Sequence, residues 1–328
     1  MRLLMKHQDK QIFFNQLWGL QPSAAHNPSP TPITLTRENL HGWKKAQKHV
    51  IAEKTDGERG TLLLGRSEIW QPRVSRSSGR TYYYNKETNN TSWEKPNEKY
   101  IVIVRRNREM IEMDYNLSVP EDLFQGTMFD GEWLQDTFII FDTIAVKGKS
   151  VKDLPFSERL GAAKRVVQSI VTSGWNMYIK KFYEFSELDA LCQQIEDGTK
   201  GKTDGLIFMP KMDPVSTGRS TNIKKWKPTM MNTIDLYHKA GSWSCVGYDG
   251  NPMEYPITMD GGTDKEGIFE LRPTTKDPEG INPFNKYVWQ ICTERKDKRY
   301  PNHITTIEKT LDTIDEDITL GDILLAGK

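Results

Sequence analysis

Residues 53–60 read Glu-Lys-Thr-Asp-Gly-Glu-Arg-Gly, and they close the strand-like run that begins at His49. Lys54 therefore stands at the end of a strand, on an Asp-Gly turn. A bare K-x-D-G arises by chance in roughly a tenth of chains this long at average residue usage. Alone it reads as a solvated lysine at a turn. The alternative is a lysine nucleophile, whose amine must lose its proton and is helped to do so by nearby cations. The company of the motif, in order, decides between them. MFDGEW (128–133) puts Glu132 on a second Asp-Gly turn, and FIIFD (138–142) is a buried strand ending in Phe141-Asp142. KTDGLIF (202–208) sets Asp204 at a strand start, and KKWKP (224–228) places Lys225 and Lys227 on one strand face, because side chains alternate with period two. Two lysines on one face are unfavourable unless an anion sits between them, and a triphosphate meets that need. In isolation KKWKP is also what a basic edge strand looks like. Finally Trp289, Arg295, Asp297 and Lys298 form W-x5-R-x-D-K.

The rest of the chain bounds what these motifs can belong to. It has 328 residues, enough for two domains and a small extra module. A chain of this size buries about three quarters of its unfolded surface and needs no disulfide or metal staple to fold. Its 45 Lys+Arg against 44 Asp+Glu leave a formal net charge of +1, so nucleic-acid contact must come from local basic patches. The three cysteines, Cys192, Cys245 and Cys292, lie far apart with no C-x-x-C pair, which fits a reducing compartment and argues against structural zinc. No apolar run approaches the roughly 18 residues of a membrane span, and charges interrupt the opening MRLLMKHQDKQ at once, unlike a secretory signal. The expectation is a soluble intracellular protein without a membrane partner.

Along the chain, residues 21–32 hold four prolines and no Lys, Arg, Asp or Glu, which reads as an extended segment or linker. Thr36, with Asn39 three residues on, opens a helical stretch expected over 36–49. Strand-like runs and turns alternate to residue 146. The spacing of SERLGAAKRVVQSIVTS predicts an amphipathic helix over 157–173 with Ser157 as N-cap. After about residue 229, short strands between Gly, Asp and Asn turns predict a small barrel, and 302–325 is expected to be helical.

One stretch interrupts this plan. Residues 70–96, WQPRVSRSSGRTYYYNKETNNTSWEKP, lie between two strand-like runs that a tight hairpin would otherwise join, so they form a module placed in a loop tip. Arg73, Arg76, Arg80, Lys86 and Lys95 face only Glu87 and Glu94 within it.

The ordered motifs together resemble the covalent nucleotidyltransferases, the family of DNA ligases, RNA ligases and mRNA capping enzymes, over roughly residues 33–325. FIIFDTIAVKG after DGEW, the segment LPFSERL (154–160), KKWKP, and R-x-D-K followed by P-N-H are most similar to the mRNA guanylyltransferases. The family often has an arginine two residues before Arg295, where this chain has Thr293. The resemblance implies an α+β fold: a nucleotidyltransferase domain of antiparallel sheets and helices (1–68 and 98–229), then an OB-fold domain with a C-terminal helix (230–328). It implies that Lys54 attacks the α-phosphate of GTP to form Lys–GMP, which is then passed to the 5′-diphosphate end of an RNA. Lys225 and Lys227 would hold the α-phosphate, while Arg59 and Glu132 contact the ribose. Phe141 would stack on guanine and Lys180 read its O6. Asp204 would ligate Mg²⁺ or Mn²⁺, and Arg295, Asp297 and Lys298 would orient the leaving pyrophosphate as the domains close. No triphosphatase or methyltransferase motif is visible, so RNA triphosphatase and cap methyltransferase would act in trans. The setting would be the nucleus, or a cytoplasmic factory if the source is a virus.

The inserted module, 69–97, resembles a WW domain: Trp70 and Trp93 lie 23 positions apart, Pro96 closes the unit and GRTYYYN supplies a central strand. Tyr82 and Trp93 would clamp a proline in the polyproline II form. The loop SRSSGR is similar to that of phospho-specific prolyl isomerases, which implies that Ser75 and Arg76 grip a phosphate. A phospho-Ser-Pro peptide such as the C-terminal repeat of RNA polymerase II would be the ligand. An ATP-dependent ligase shares Lys54, Asp204 and the KKWKP lysines, and a phosphopeptide-binding adaptor on an inactive transferase fold would need only the insert. Ser29-Pro30 is a further candidate ligand for the chain's own insert.

Overall fold

The computed structural model describes residues 2–41, 48–66, 70–86, 89–95, 99–113, 118–172, 174–196, 203–276 and 286–327. Two sheets build the first domain. The smaller has four strands in the order β1 (Thr31–Thr34), β14 (Arg219–Trp226), β13 (Leu206–Pro210) and β2 (His49–Glu53). The larger runs β11 (Lys149–Ser150), β10 (Thr137–Val146), β9 (Thr127–Leu134), β3 (Glu58–Arg66), β7 (Lys99–Arg105) and β8 (Met110–Glu112), with β12 (Asn176–Ile179) added in parallel to β10. The proline-rich segment is no free linker: Pro32 lies within β1, which pairs in parallel with β14, and Ser29 is buried with its hydroxyl 3.4 Å from that of Thr61 on β3.

Both faces of the larger sheet are covered. On one, Leu62, Leu64, Ile101, Ile103, Phe129, Phe138 and Ile140 pack with Ala163 and Val166 of α3 (Phe156–Val167). On the other, Leu63, Val102, Val104 and Met128 pack against Phe14 and Trp18 of α1 (Arg2–Trp18), a helix the sequence reading did not place. Arg108 ties α1 down, with Nη2 donating to Gln11 Oε1 at 2.6 Å and Asn15 Oδ1 at 2.7 Å. The smaller sheet turns its outer face to α2 (Arg37–His41), α4 (Leu188–Glu196) and the C-terminal α6 (Leu320–Ala326), where Ile51, Phe208, Trp226, Leu191 and Ile323 form one core.

Several expected boundaries shift. The helix expected over 36–49 is described only as the short α2; Asn39 N–H does donate to Thr36 Oγ1 (3.2 Å), but His49 already belongs to β2. Ser157 lies inside α3, and Pro155 is the N-cap residue, its carbonyl accepting from the Glu158 N–H at 3.0 Å. The helical tail is two helices, because Asp317 at φ +44° ends α5 (Ile304–Glu316) and Thr319 caps α6 anew with Asp322.

The insert leaves the first domain between β3 and β7, which pair from Gly60–Arg105 to Arg66–Lys99. It is a three-stranded sheet in the order β4 (Trp70–Val74), β5 (Thr81–Asn85) and β6 (Thr91–Ser92). Among the described residues none of its side chains joins a core cluster of the larger domains. Pro96, expected to close the module against Trp70, lies outside the described residues.

The second domain is a six-stranded sheet in the order β17 (Pro252–Glu254), β16 (Ser242–Val246), β15 (Ile234–Lys239), β19 (Gly267–Lys276), β20 (Tyr287–Glu294) and β18 (Thr258–Met259). It is antiparallel but for β18 on β20. α5 closes it, placing Ile304, Ile307 and Ile314 against Ile234, Leu236 and Trp289. The chain then returns, so that α6 belongs to the first domain's core.

Candidate active site

Lys54 is the first residue beyond β2. Its N–H donates to the Gly205 carbonyl at 2.7 Å and its own carbonyl accepts from the Asp204 N–H at 2.9 Å. The ladder between β2 and β13 thus runs one residue past the last strand pair and locks Lys54 beside Asp204. Gly205 allows this: it has φ +129°, and a Cβ there would lie 2.0 Å from the Trp226 carbonyl oxygen. The Asp204 carboxylate is shared, one oxygen accepting from Lys54 Nζ and the other pairing with Lys227 Nζ at 2.8 Å. Lys225 lies two residues back on the same face of the strand, as the period-two reading requires. Trp226, between the two, is buried on the opposite side, where its indole N–H donates to the Ile318 carbonyl at 2.7 Å. Lys225 forms no ion pair among the described residues. Its pKa is held below the ordinary lysine value, first by burial, then by Lys227, Lys54 and Arg106, with Asp204 opposing.

The other wall comes from the larger sheet, where Arg59 on β3 sits opposite Glu132 on β9. Arg59 forks onto buried Asp130, with Nε 3.2 Å from Oδ1. Burial works against its charge, yet Asp130, then Glu132 and Asp142, outweigh it and raise the pKa above the usual value, so Arg59 is a fixed cation. Glu132 accepts from the Thr55 hydroxyl, whose oxygen in turn accepts from Lys180 Nζ at 3.3 Å. Lys180, just past β12, is buried. Phe141 sits where the pairing of β10 with β9 slips between Ile140 and Asp142, a bulge of the kind that re-aims a side chain. It is half-buried and outside the hydrophobic clusters of the described residues. The next residue, Asp142, is gripped bidentately by Arg159 at 2.7 and 2.8 Å.

The structure therefore gathers Lys54, Asp204, Lys225 and Lys227 into one cluster and sets Arg59, Glu132 and Lys180 on the facing wall. It does not bring the last block to them. Arg295 forks onto Asp297 at 2.9 and 2.8 Å and reaches Asp235 at 3.3 Å, and Lys298 pairs with Asp235 as well. The Asp297 carboxyl is held down to about 2, chiefly by its hydrogen bonds from Arg295. Asp235 connects this network to the cleft, for it lines a cavity of about 380 Å³ together with Lys225 and Lys227. Three contributors went unread in the sequence. Arg106, at the end of β7, acts on both Arg59 and Lys225, and its own pKa is lowered, mainly by burial. Asp130 and Thr55 lie within quoted motifs, but nothing in their spacing marked them.

Among the described residues no group of three or more His, Cys, Asp or Glu side chains could cage a metal ion. Asp204 fits a hard cation that arrives with phosphate, since Mg²⁺ takes only one or two carboxylates when phosphate oxygens and water supply the rest.

In the insert, the Tyr82 and Trp93 rings stand 6.1 Å apart at 67°, and Trp93 is 56% exposed. The 75–80 loop folds back through Ser75 N–H to the Arg80 carbonyl (2.9 Å) and Gly79 N–H to the Ser75 carbonyl (2.9 Å). Ser75 Oγ lies 3.1 Å from Ser77 Oγ, Arg76 is exposed, and the Arg80 guanidinium lies 5.3 Å from the Trp93 ring centroid.

Family models match in three blocks: the mRNA capping enzyme catalytic domain over residues 92–229, the mRNA capping enzyme C-terminal domain over 259–324, and the WW domain over 68–96. The chain belongs to the mRNA capping enzyme family. The mRNA-capping enzyme subunit alpha of Schizosaccharomyces pombe is 22% identical over 350 residues, covering 94% of this chain and 81% of that protein. Its counterpart in Yarrowia lipolytica is 21% identical, covering 94% and 84%. A mycobacterial DNA ligase D structure, complexed with ATP and MES, overlaps 82% of this chain and 95% of its own at 14% identity, with a TM-score of 0.41. The capping-enzyme catalytic match begins at residue 92, inside the WW match, and runs to 229, so it does not include Lys54 or Arg59.

Proposed function

We propose that this capping-family enzyme is a guanylyltransferase working through a covalent lysine–GMP. The observation that carries the reading is the cluster at Asp204, where one carboxylate holds the Lys54 amine against Lys227, with Lys225 beside them. In the first step the deprotonated Lys54 amine attacks the α-phosphorus of GTP. A nitrogen–phosphorus bond forms, the bond from the α-phosphorus to the bridging oxygen breaks, and pyrophosphate leaves. Asp204 is the acceptor within reach of the amine's proton. In the second step an oxygen of the RNA 5′-diphosphate attacks the same phosphorus, the nitrogen–phosphorus bond breaks, and Lys54 is regenerated. Such transfer depends mainly on positioning and charge neutralisation. Lys225 and Lys227 supply the charge at the α-phosphate, Arg59 and Glu132 hold the ribose, and Phe141 and Lys180 take the guanine. A divalent ion, held by Asp204 together with phosphate oxygens, would supply further neutralisation. Arg295, Asp297 and Lys298 would act on pyrophosphate only after Asp235 releases the two cations.

The insert would bind phospho-Ser-Pro segments such as the RNA polymerase II repeat, with Ser75 and Arg76 on the phosphate and Tyr82 and Trp93 on the proline. It projects from the end of β3 opposite Arg59, seven residues and about 23 Å away by strand rise, so a bound peptide leaves the cleft open. Tethering of this kind raises effective concentration without new catalytic contacts.

Two assays test the reading. With labelled GTP and Mg²⁺ the protein should form an acid-labile covalent adduct that Lys54→Ala abolishes; an adduct formed only from ATP overturns it. A peptide titration should show preference for the phosphorylated repeat, lost in Arg76→Ala; equal affinity for both peptides overturns the phosphate role.

A further inference from the structure

α5 presents two different faces. Ile304, Ile307 and Ile314 are buried in the second domain, while Thr306, Lys309, Thr310 and Thr313, spaced by three, four and seven residues, line the cavity that also contains Lys225 and Lys227. Short hydroxyl side chains leave the space open, and Lys309 is the one cation that the helix contributes to it. Among the described residues neither Lys309 nor Lys225 forms an ion pair. The one carboxylate in the lining, Asp235, is already shared by Arg295, Lys298 and Asn302. Three lysines from two domains thus converge on about 380 Å³, of which Lys227 is paired with Asp204 and Lys225 and Lys309 have no carboxylate partner there among the described residues. Such a field is unfavourable when empty and favourable around a polyanion. Lys309 is exposed to the cleft and does not pair with Asp312, three residues on.

We propose that Lys309 is a positioning residue for an oligophosphate, gripping the phosphates that lie beyond the one at Lys54. This rests on Lys54 being the nucleophile. Two ligands share the chemistry: the β- and γ-phosphates of the nucleotide, and the 5′-diphosphate of the acceptor RNA.

The test uses the full chain with Lys309→Ala, Lys309→Arg, and Lys286→Ala as a control that removes the same charge from an exposed site away from the cleft. Inorganic tripolyphosphate is titrated calorimetrically without nucleotide. Lys309→Ala should bind about tenfold more weakly, the size of one charge-assisted contact, while Lys309→Arg and Lys286→Ala stay within about twofold of the parent. The two half-reactions then name the source. A raised KM for GTP with little change in kcat identifies the nucleotide phosphates; a raised KM for diphosphate RNA in transfer from preformed adduct identifies the RNA end. Unchanged tripolyphosphate affinity in Lys309→Ala, or no rise in either KM, overturns the proposal. If the parent protein forms no GMP adduct, the guanylyltransferase reading falls, and the tripolyphosphate comparison still decides the role of Lys309.

Discussion

Arg159→Met should be among the most damaging single changes in the first domain, although Arg159 touches no expected substrate. Its side chain is 2% exposed and makes four hydrogen bonds: two to the Asp142 carboxylate at 2.7 and 2.8 Å, one to the Leu154 carbonyl at 2.6 Å and one to the Asp213 carbonyl at 2.9 Å. Methionine fills much of the same volume and removes all four. What remains is a buried carboxylate without its cation. Breaking one side of a buried pair costs about 3–5 kcal/mol, mainly because the surviving charge is stranded. Guanidinium unfolding, followed by a signal from the first domain, should register that loss, with a melting temperature lower by roughly 10 °C.

The pH dependence gives a sharper check. Burial already pushes the Asp142 carboxyl above its ordinary value, and Arg159 is the main force opposing that rise. Without Arg159 the folded-state pKa climbs further above the unfolded one. The native state then holds a proton the unfolded state has released, so stability falls as pH rises from the unfolded carboxylate range through the folded value. The penalty in Arg159→Met should accordingly be larger at pH 8 than at pH 5. Adding Asp142→Asn should recover part of it, because a neutral amide is cheaper to bury than a stranded charge. The KM for GTP should also rise, since the bulge that presents Phe141 is anchored at the next residue. A loss below about 1 kcal/mol that does not change with pH would refute the argument.

Two further tests bear on the cleft. Burial and neighbouring cations hold the Lys225 pKa low in the free protein, and a bound phosphate restores the missing anion; oligophosphate binding should therefore take up a proton in the alkaline range between the two values, seen by calorimetry in buffers of different ionisation enthalpy and absent in Lys225→Arg. Gly205→Ala forces a Cβ to within 2.0 Å of the Trp226 carbonyl at φ +129°; it should cost about 1–3 kcal/mol of backbone strain or more and abolish adduct formation by shifting Lys54 out of register, so that a variant retaining normal adduct yield would contradict the ladder geometry.

What the sequence disclosed was local. Lys54 on its turn, Asp204 at a strand start and the two lysines of KKWKP are each visible in a few residues, because strand periodicity fixes which side chains share a face. The insertion point was equally plain, since two apolar runs that pair from Gly60 to Lys99 flank a segment with another composition. What escaped was set by packing at long range. Arg106 matters because β7 ends near Arg59 and Lys225, a proximity no spacing encodes. α1 carries polar residues at positions where Gln11 and Asn15 meet Arg108 rather than water, which dilutes its apolar stripe below recognition. Ser157 suits a cap by residue type, yet the N-cap lies two positions earlier, on Pro155, whose carbonyl starts the ladder.

The last block shows where motif reading stops in principle. R-x-D-K names cations suited to phosphate, but a motif cannot say which anion holds them at a given moment. Here that anion is Asp235, 8% exposed by its side chain, bonded to both Arg295 and Lys298 and lining the cavity that Lys225 and Lys227 also face. The chain crosses between the domains twice, and the crossings are joined by the Trp226 bond to Ile318 and by Thr229 to Asp317. The second domain is thereby held at one seam, with a carboxylate of its own in the place where a ligand's phosphate is expected. Whether Arg295 and Lys298 serve the reaction is then a competition between Asp235 and an incoming polyphosphate, a matter of relative charge and desolvation that is settled in the cleft and not in the order of residues.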